Sequence, residues 1–258
     1  MPVRLVAFDL DDTLTPSKSP IAPEMASALG DLLALTQVCI ISGGQLAQFT
    51  EQVTERLDLD AARLGRLHLM PTCGTRYYRH DGAAWTQVYA NDLTDSERTD
   101  ALAVVEAQAR RLGLWADRTW GPIMEDRGSQ ITFSALGQAA PLAEKKAWDP
   151  TGERKESLRA AVAALLPDLE VRSGGSTSVD ITRKGVDKAY GMTRLAEQTG
   201  VPLGDMLFVG DRLDEGGNDY PVKALGVECE AVTGWEETVV LVRDLVAALA
   251  SAGAASRR

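Results

Sequence analysis

A chain of 258 residues, 45% hydrophobic and 25% charged, is composed as a soluble globular protein with a large core, in one big domain or two ordinary ones. Its formal net charge of −10 argues against a nucleic-acid partner, because no basic excess exists to replace counterions on a phosphate backbone. A small anionic substrate is still allowed, since a pocket can be locally positive on an acidic protein.

In chain order, "RLVAFDL" predicts a short strand, Leu5 to Phe8, apolar on both faces as central strands of parallel sheets are. A helix is expected from Pro23 to Leu35, then a strand in "VCIISGG", another helix, and a strand in "RLHLMPTCG". This βαβαβ order favours a parallel sheet with crossover helices. From Tyr77 the texture changes. "TRYYRHDGAAWTQVY" predicts a hairpin turning at Asp81-Gly82, and Thr94 and Glu97 are spaced as a capping box for a helix stopped by Gly113. "IMEDRGSQITFSAL" reads as a second hairpin, "ERKESLRAAVAALL" as a helix stopped by Pro167, and "LEVRSGGSTSVDITR" as alternating strands about a Gly-Gly. After Gly185 the first texture returns, with helix "VDKAYGMTRLAEQTG", strand "MLFVGD", strand-like "CEAV" and a helix from Trp235. The expected fold is therefore α/β: a Rossmann-like parallel-sheet core over residues 1–80 and 185–258, with an α+β domain inserted over 81–184. "SAGAASRR" reads as a frayed tail. Three cysteines, Cys39, Cys73 and Cys229, lack C-x-x-C spacing and suit a reducing compartment. "MPVRLVAF" lacks the apolar stretch of a signal peptide and no run approaches a membrane span, so a cytoplasmic setting without a membrane partner is expected. His68 and His80 read as structural or exposed.

Chemistry concentrates at strand and helix ends, where open α/β sheets bind ligands. Asp9, Asp11 and Asp12 crowd the tip of the first strand, and like charges this close need a cation or a proton. Ser42, Gly43 and Gly44 follow the second strand, Lys188 opens a helix, and Asp211 follows "MLFVG". Phosphoryl transfer needs such a set. The phosphorus is shielded by anionic oxygens, so a metal ion and fixed donors must neutralise charge as the bond breaks. Asp9 is placed to attack as nucleophile, and Asp9 with Asp211 to hold one Mg²⁺ through oxygen ligands. The Ser42 hydroxyl and the amides of Gly43 and Gly44 can donate to phosphate oxygens, Lys188 supplies positive charge, and a second acid two residues after the nucleophile can protonate the leaving oxygen.

"DLDDTLT", "IISGG", "GVDKAYG" and "FVGDRLDEGGND" resemble the four motifs of the haloacid-dehalogenase superfamily, in order and over the whole chain. The insert resembles the large α/β cap of its Cof-like and phosphomannomutase branch, and "GDRLDEGGND" with "GGSTSVDITRKGVDK" looks closest to the eukaryotic-type phosphomannomutases. The resemblance implies Asp9 as nucleophile and Asp11 as general acid/base, with the Asp11 backbone carbonyl reaching Mg²⁺. It implies Asp211 as a metal ligand supported by Asn218 and Asp219, and Lys188 and Ser42 as binders of the transferring group. In the cap, Arg127 matches the first of three substrate-binding arginines, while Gln138 and Lys145 stand at the second and third. Ser178 and Asp180 match neighbours that bind sugar or phosphate, Lys18 stands in for a basic residue after the first motif, and Asp12 stands where the mutases have Gly.

Replacing a planar guanidinium by Gln or Lys weakens bidentate phosphate binding, and a mutase must grip a bisphosphate in two orientations. Mg²⁺-dependent hydrolysis of a small phosphorylated metabolite, a sugar phosphate, through an aspartyl-phosphate is therefore the first expectation. The alternative is a phosphomannomutase, with the same chemistry and the phosphoryl group returned to another hydroxyl. A non-catalytic phosphometabolite-binding module is the third reading, and the presence of both Asp9 and Asp11 stands against it. A homodimer is compatible with all three.

Overall fold

The computed structural model describes residues 3–255. The first segment runs β1 (Leu5–Phe8), α1 (Pro23–Leu35), β2 (Gln37–Ile41), α2 (Leu46–Gln52), a single turn α3 (Ala61–Leu64), β3 (Leu67–Met70), a second single turn α4 (Pro71–Gly74), β4 (Arg76–His80) and β5 (Trp85–Ala90). The middle segment runs α5 (Asp95–Arg111), β6 (Met124–Asp126), β7 (Gln130–Ser134), α6 (Leu142–Trp148), α7 (Glu153–Ala163), β8 (Leu169–Ser173) and β9 (Ser178–Arg183). The last runs α8 (Lys188–Thr199), β10 (Met206–Gly210), α9 (Tyr220–Ala224), β11 (Glu228–Ala231) and α10 (Trp235–Ala255). The chain divides into two compact units, one formed by the residues up to Ala90 with those from Asp187 onward, the other by Asn91–Val186.

The first unit is built on a seven-stranded sheet in the order β11-β10-β1-β2-β3-β4-β5. β1 pairs in parallel with β10 and with β2, which places Asp9 at the carboxyl end of a central strand. Alternation with period two sends β1 side chains to both faces. Val6 and Phe8 join Val38, Ile40, Leu67 and Leu69 in a core with α1 and α10, whereas Leu5 and Ala7 join Cys39, Ile41, Met70 and Phe208 in a core with α8 and α9. Burial on both faces explains why β1 is apolar throughout. Pro23 sits in the first turn of α1, where its missing N–H costs nothing.

The first boundary differs from the expected 80/81. The hairpin belongs to the core sheet: β4 pairs antiparallel with β3, and β5 with β4, so the unit continues to Ala90. Tyr78 and Trp85 pack into the core beneath it. Its turn is also longer than the Asp81-Gly82 dipeptide suggests. His80 pairs with Trp85, and Asp81 Oδ1 accepts from the Ala83 and Ala84 N–H groups, closing a four-residue loop. The second boundary lies at 186/187 rather than 184/185. α10 continues through Ala255, so the start of the expected tail is helical, and residues 256–258 lie outside the described residues.

The second unit is a four-stranded antiparallel sheet, β6-β7-β9-β8, with α5 and α7 on one face. The capping box at Thr94 is formed in both directions. Ile131, Phe133, Val171, Val179 and Ile181 pack against Ala101, Val105, Leu158 and Val162 of the helices. The alternate residues, Gln130, Thr132 and Ser134 on β7 with Ser178 and Asp180 on β9, make the other face polar. Among the described residues no helix is long and apolar enough to cross a membrane.

Candidate active site

Three carboxylates converge at the carboxyl end of the parallel strands. Asp9, Asp211 and Asp219 each place a carboxylate oxygen within 4.8 Å of the others. Asp9 ends β1, its N–H donating to the Val209 carbonyl, and Asp211 follows β10. Asp219 enters from the loop before α9 and lies across Gly210, where a Cβ would come within 2.4 Å of its Oδ2. Only glycine allows that approach. The Arg212 N–H donates to Asp219 Oδ2, and the Thr13 hydroxyl reaches Asp211 Oδ1 at 3.5 Å.

Lys188 is the counter-charge. The first residue of α8, it is 1% exposed, with Nζ 2.6 Å from Asp9 Oδ1 and 2.5 Å from Asp219 Oδ1. Asp187 caps the helix by accepting from the Tyr190 N–H. Burial alone would pull the Lys188 ammonium down, but Asp9 and Asp219 outweigh it and hold it above the ordinary lysine range. Burial pushes Asp9 up to about 7 even against the attraction of Lys188, and burial with Asp219 raises Asp211. One ammonium does not compensate three carboxylates. An all-oxygen set with this surplus of negative charge fits a hard divalent cation such as Mg²⁺.

The loop after β2 supplies donors. Ser42 is buried and its Oγ accepts from the Gly44 N–H at 3.2 Å, while Gly43 is half-buried. This loop is clamped by α4, whose Thr72 and Cys73 N–H groups donate to the carbonyls of Gly44 and Ser42. Thr72, Cys73 and Gly74 all have positive φ, of 49°, 55° and 83°. Two consecutive non-glycine residues in that region are strained, and such strain is found at functional sites. On its other side the turn meets α8: a Cβ on Gly74 would lie 2.5 Å from Gly191 Cα. Tyr89 donates its hydroxyl to the Gly74 carbonyl at 2.7 Å. The turn thus stands between Ser42 and the helix that carries Lys188.

Asp11 lies apart from the three-carboxylate group, its Oδ1 accepting from the Lys18 N–H and its Oδ2 from Gln48 Nε2. Lys18 enters this arrangement through its backbone, and Asn218 is exposed. Asp12 has φ 59°, a conformation that Gly adopts freely and Asp tolerates, and it accepts from the Ser17 N–H. A glycine at this position would meet no backbone strain.

The expected cap residues form a separate network on the polar face of the second sheet. Asp180 Oδ1 accepts from Thr132 Oγ1 at 2.7 Å and Gln130 Nε2 at 2.9 Å, and burial raises the Asp180 carboxyl. Ser178 pairs with Ser134, which accepts from Gln138 Nε2, and Lys145 donates to the Gln138 carbonyl. Arg127 donates through Nε and Nη2 to Glu125 Oε2 at 3.1 and 2.6 Å. No motif points to Gln48, Glu125, Gln130, Thr132, Ser134 or the α4 turn. Three of these carry a signal nonetheless, since Gln130, Thr132 and Ser134 alternate with apolar residues in "QITFS".

The family model for eukaryotic phosphomannomutase matches residues 25–247. Phosphomannomutase 1 of Homo sapiens is 26% identical over 231 residues, covering 85% of this chain and 83% of that one. The phosphomannomutase of Encephalitozoon cuniculi is 28% identical over 222 residues, covering 83% and 82%. Among solved structures, a haloacid dehalogenase-like hydrolase from Bacteroides thetaiotaomicron shares the fold with a TM-score of 0.64 at 15% identity, covering 94% of this chain and 98% of that one. IMP-nucleotidase from Plasmodium falciparum does so with a TM-score of 0.70 at 14% identity, covering 96% and 67%. With its four motifs in order and the family model spanning most of its length, the chain belongs to the eukaryotic phosphomannomutase family of the haloacid-dehalogenase superfamily.

Proposed function

We propose that this phosphoryl-transfer enzyme is a phosphomannomutase, interconverting mannose 1-phosphate and mannose 6-phosphate in the cytoplasm. The observation that carries the reading is the family match over residues 25–247, with relatives named phosphomannomutase along more than four-fifths of the chain. It favours the mutase over the simple hydrolysis that Gln138 and Lys145 suggest first.

Asp9, Asp211 and Asp219 would hold Mg²⁺, with the Asp11 carbonyl and Asn218 beside them. Bound there, the ion supplies positive charge to the oxygens of the transferring group and lets Asp9 stay ionised. Asp9 attacks phosphorus, and the bond to the sugar oxygen breaks as an aspartyl-phosphate forms. Asp11 gives its proton to that oxygen and later takes one from the hydroxyl that receives the phosphoryl group. Lys188, the Ser42 hydroxyl and the Gly43 amide are assigned to the transferring oxygens, where charge develops, while the Gly44 N–H is given to Ser42 Oγ and holds that hydroxyl in place. Arg127, Gln138, Lys145, Ser178, Asp180 and Lys18 are assigned to the remainder of the sugar phosphate.

The test is incubation with mannose 1-phosphate, with and without a hexose bisphosphate activator, following inorganic phosphate and the 6-phosphate together. The mutase gives 6-phosphate that depends on the bisphosphate, with little phosphate released. Release of phosphate in step with loss of substrate, without 6-phosphate, would establish the hydrolase instead. Asp9→Asn should abolish either activity in a folded protein, and turnover within about tenfold of wild type would remove the aspartyl-phosphate from the mechanism.

A further inference from the structure

Asp11 is held by two hydrogen bonds among the described residues. Its Oδ1 accepts from the Lys18 N–H at 2.7 Å, within the loop that Asp11 opens. Its Oδ2 accepts from Gln48 Nε2 at 2.8 Å, across 37 residues of sequence. Gln48 is the third residue of α2, the helix that starts just beyond Ser42-Gly43-Gly44. The geometry points to Gln48 as the positioning residue for Asp11, a role that rests on Asp11 being the acid–base of the proposed reaction.

Two further features support this. A Cβ on Gly44 would lie 2.2 Å from Gln48 Oε1 and 2.7 Å from its Cδ, so any side chain at position 44 would displace the amide. The same Gly44 gives its N–H to Ser42 Oγ. One glycine therefore serves the Ser42 loop and leaves the space through which Gln48 reaches Asp11. The chemistry of the contact also suits the task. An amide facing a carboxylate must present its NH₂, which fixes which way Gln48 points. It adds no charge beside the cluster of Asp9, Asp211 and Asp219, whereas a guanidinium or ammonium would tie Asp11 into a fixed ion pair. With its Oδ1 held by the loop and its Oδ2 by Gln48, the carboxylate has a fixed orientation two residues beyond Asp9. Positioning of this kind acts on the transition state more than on substrate binding.

Gln48→Met tests it, since methionine keeps the length and the helix propensity and removes the donor. The quantity to measure is kcat/KM across phosphate esters, from p-nitrophenyl phosphate, whose leaving oxygen needs no proton, through phenyl phosphate to mannose 1-phosphate, whose leaving oxygen does. The expected result is a change of no more than about twofold on p-nitrophenyl phosphate and a loss of about ten- to a hundredfold on mannose 1-phosphate, carried by kcat with KM unchanged. A merely structural role would lower the whole series together. Asp11→Asn is the reference: it should show the same selectivity with a larger loss, and the double variant should lose no more than Asp11→Asn alone. If Asp11→Asn lowers all esters alike, the acid–base reading fails and the inference falls with it. If Asp11→Asn is selective but Gln48→Met is not, or if the two losses multiply, Gln48 does not position Asp11 and the inference alone is overturned.

Discussion

Replacing Lys188 by methionine keeps the side chain's length and volume and removes its charge. The wild-type ammonium is 1% exposed and lies within hydrogen-bond distance of both Asp9 and Asp219. Removing one member of a buried ion pair costs about 3–5 kcal/mol, because the partner is left charged and dry. The penalty here should depend on pH, with a sign that the burial of Asp9 sets. Asp9 is raised from 3.8 to about 7 in the folded protein. Between those values the folded state keeps a proton that the unfolded state has released, so this carboxyl's contribution to stability is complete below 3.8 and is lost as pH rises toward 7. Without Lys188 the folded value moves higher still, and the variant goes on losing stability above pH 7, where this group no longer affects the wild type. At pH 5 Asp9 is neutral in both proteins, and the variant lacks only the partner of Asp219. The difference in unfolding free energy should therefore grow between pH 5 and pH 8, by about 1.4 kcal/mol for each unit beyond the wild-type value. Urea unfolding at pH 5, 6, 7 and 8 in the presence of a chelator measures it. A difference constant to within about 0.5 kcal/mol over that range would show that Lys188 does not compensate Asp9.

Gly74→Ala should lower kcat and stability together, by about 1–3 kcal/mol in stability, since the residue has φ 83° and its Cβ would lie 2.5 Å from Gly191 Cα on the helix that carries Lys188; an active variant with an unchanged melting temperature would show that the turn does not set that helix. His68 is lowered to about 3 by burial and then by Arg79, so its contribution to stability is whole above pH 6.5 and is lost as pH falls toward 3. Between pH 6.5 and 5 this amounts to about 2 kcal/mol, read as the difference from His68→Phe so that other carboxylates cancel, and a flat difference would refute it. Gln52 is 3% exposed and both its amide atoms lack a hydrogen-bond partner among the described residues, so Gln52→Met should stabilise by about 1–2 kcal/mol in chemical denaturation, and a loss of stability would mean that an internal water serves the amide.

The parallel core was legible because its physics is local. β1 reads as a central strand from four consecutive apolar residues, and α1 from Pro23 and its period, and both lie where the pattern puts them. The carboxylates, Lys188 and Ser42 were legible because they sit at element ends, a few residues from a strand that periodicity locates. The hairpin was harder. Its strands and turn residues can be read from Tyr77 onward, but whether it closes one sheet or opens another depends on which edge remains unpaired, and that is settled by β3 some ten residues away. The α4 turn left no trace in the sequence, since Thr72 and Cys73 are ordinary residues forced into positive φ by the clamp on Ser42 and by Gly191.

The cap shows why a motif match and a chemical reading can diverge. Matched one position at a time, Gln138 is an arginine lost. In the structure it belongs to a chain running from Lys145 through its carbonyl and from its amide to Ser134 and Ser178. Asp180 is likewise set by Gln130 and Thr132, which no motif names, and Arg127 pairs with Glu125. A substituted arginine in such a network changes what its neighbours can present as well as the charge at one point. A hydroxyl chain suits sugar oxygens, an arginine fork suits a phosphate, and a mutase needs both. On the proposed reading, the weight of the Gln138 substitution depends on whether Arg127 and Lys145 supply charge to a phosphate, which their contacts to Glu125 and the Gln138 carbonyl do not report. The ratio of 6-phosphate formed to phosphate released measures that supply, and Gln138→Arg should raise it if charge is what the cap lacks.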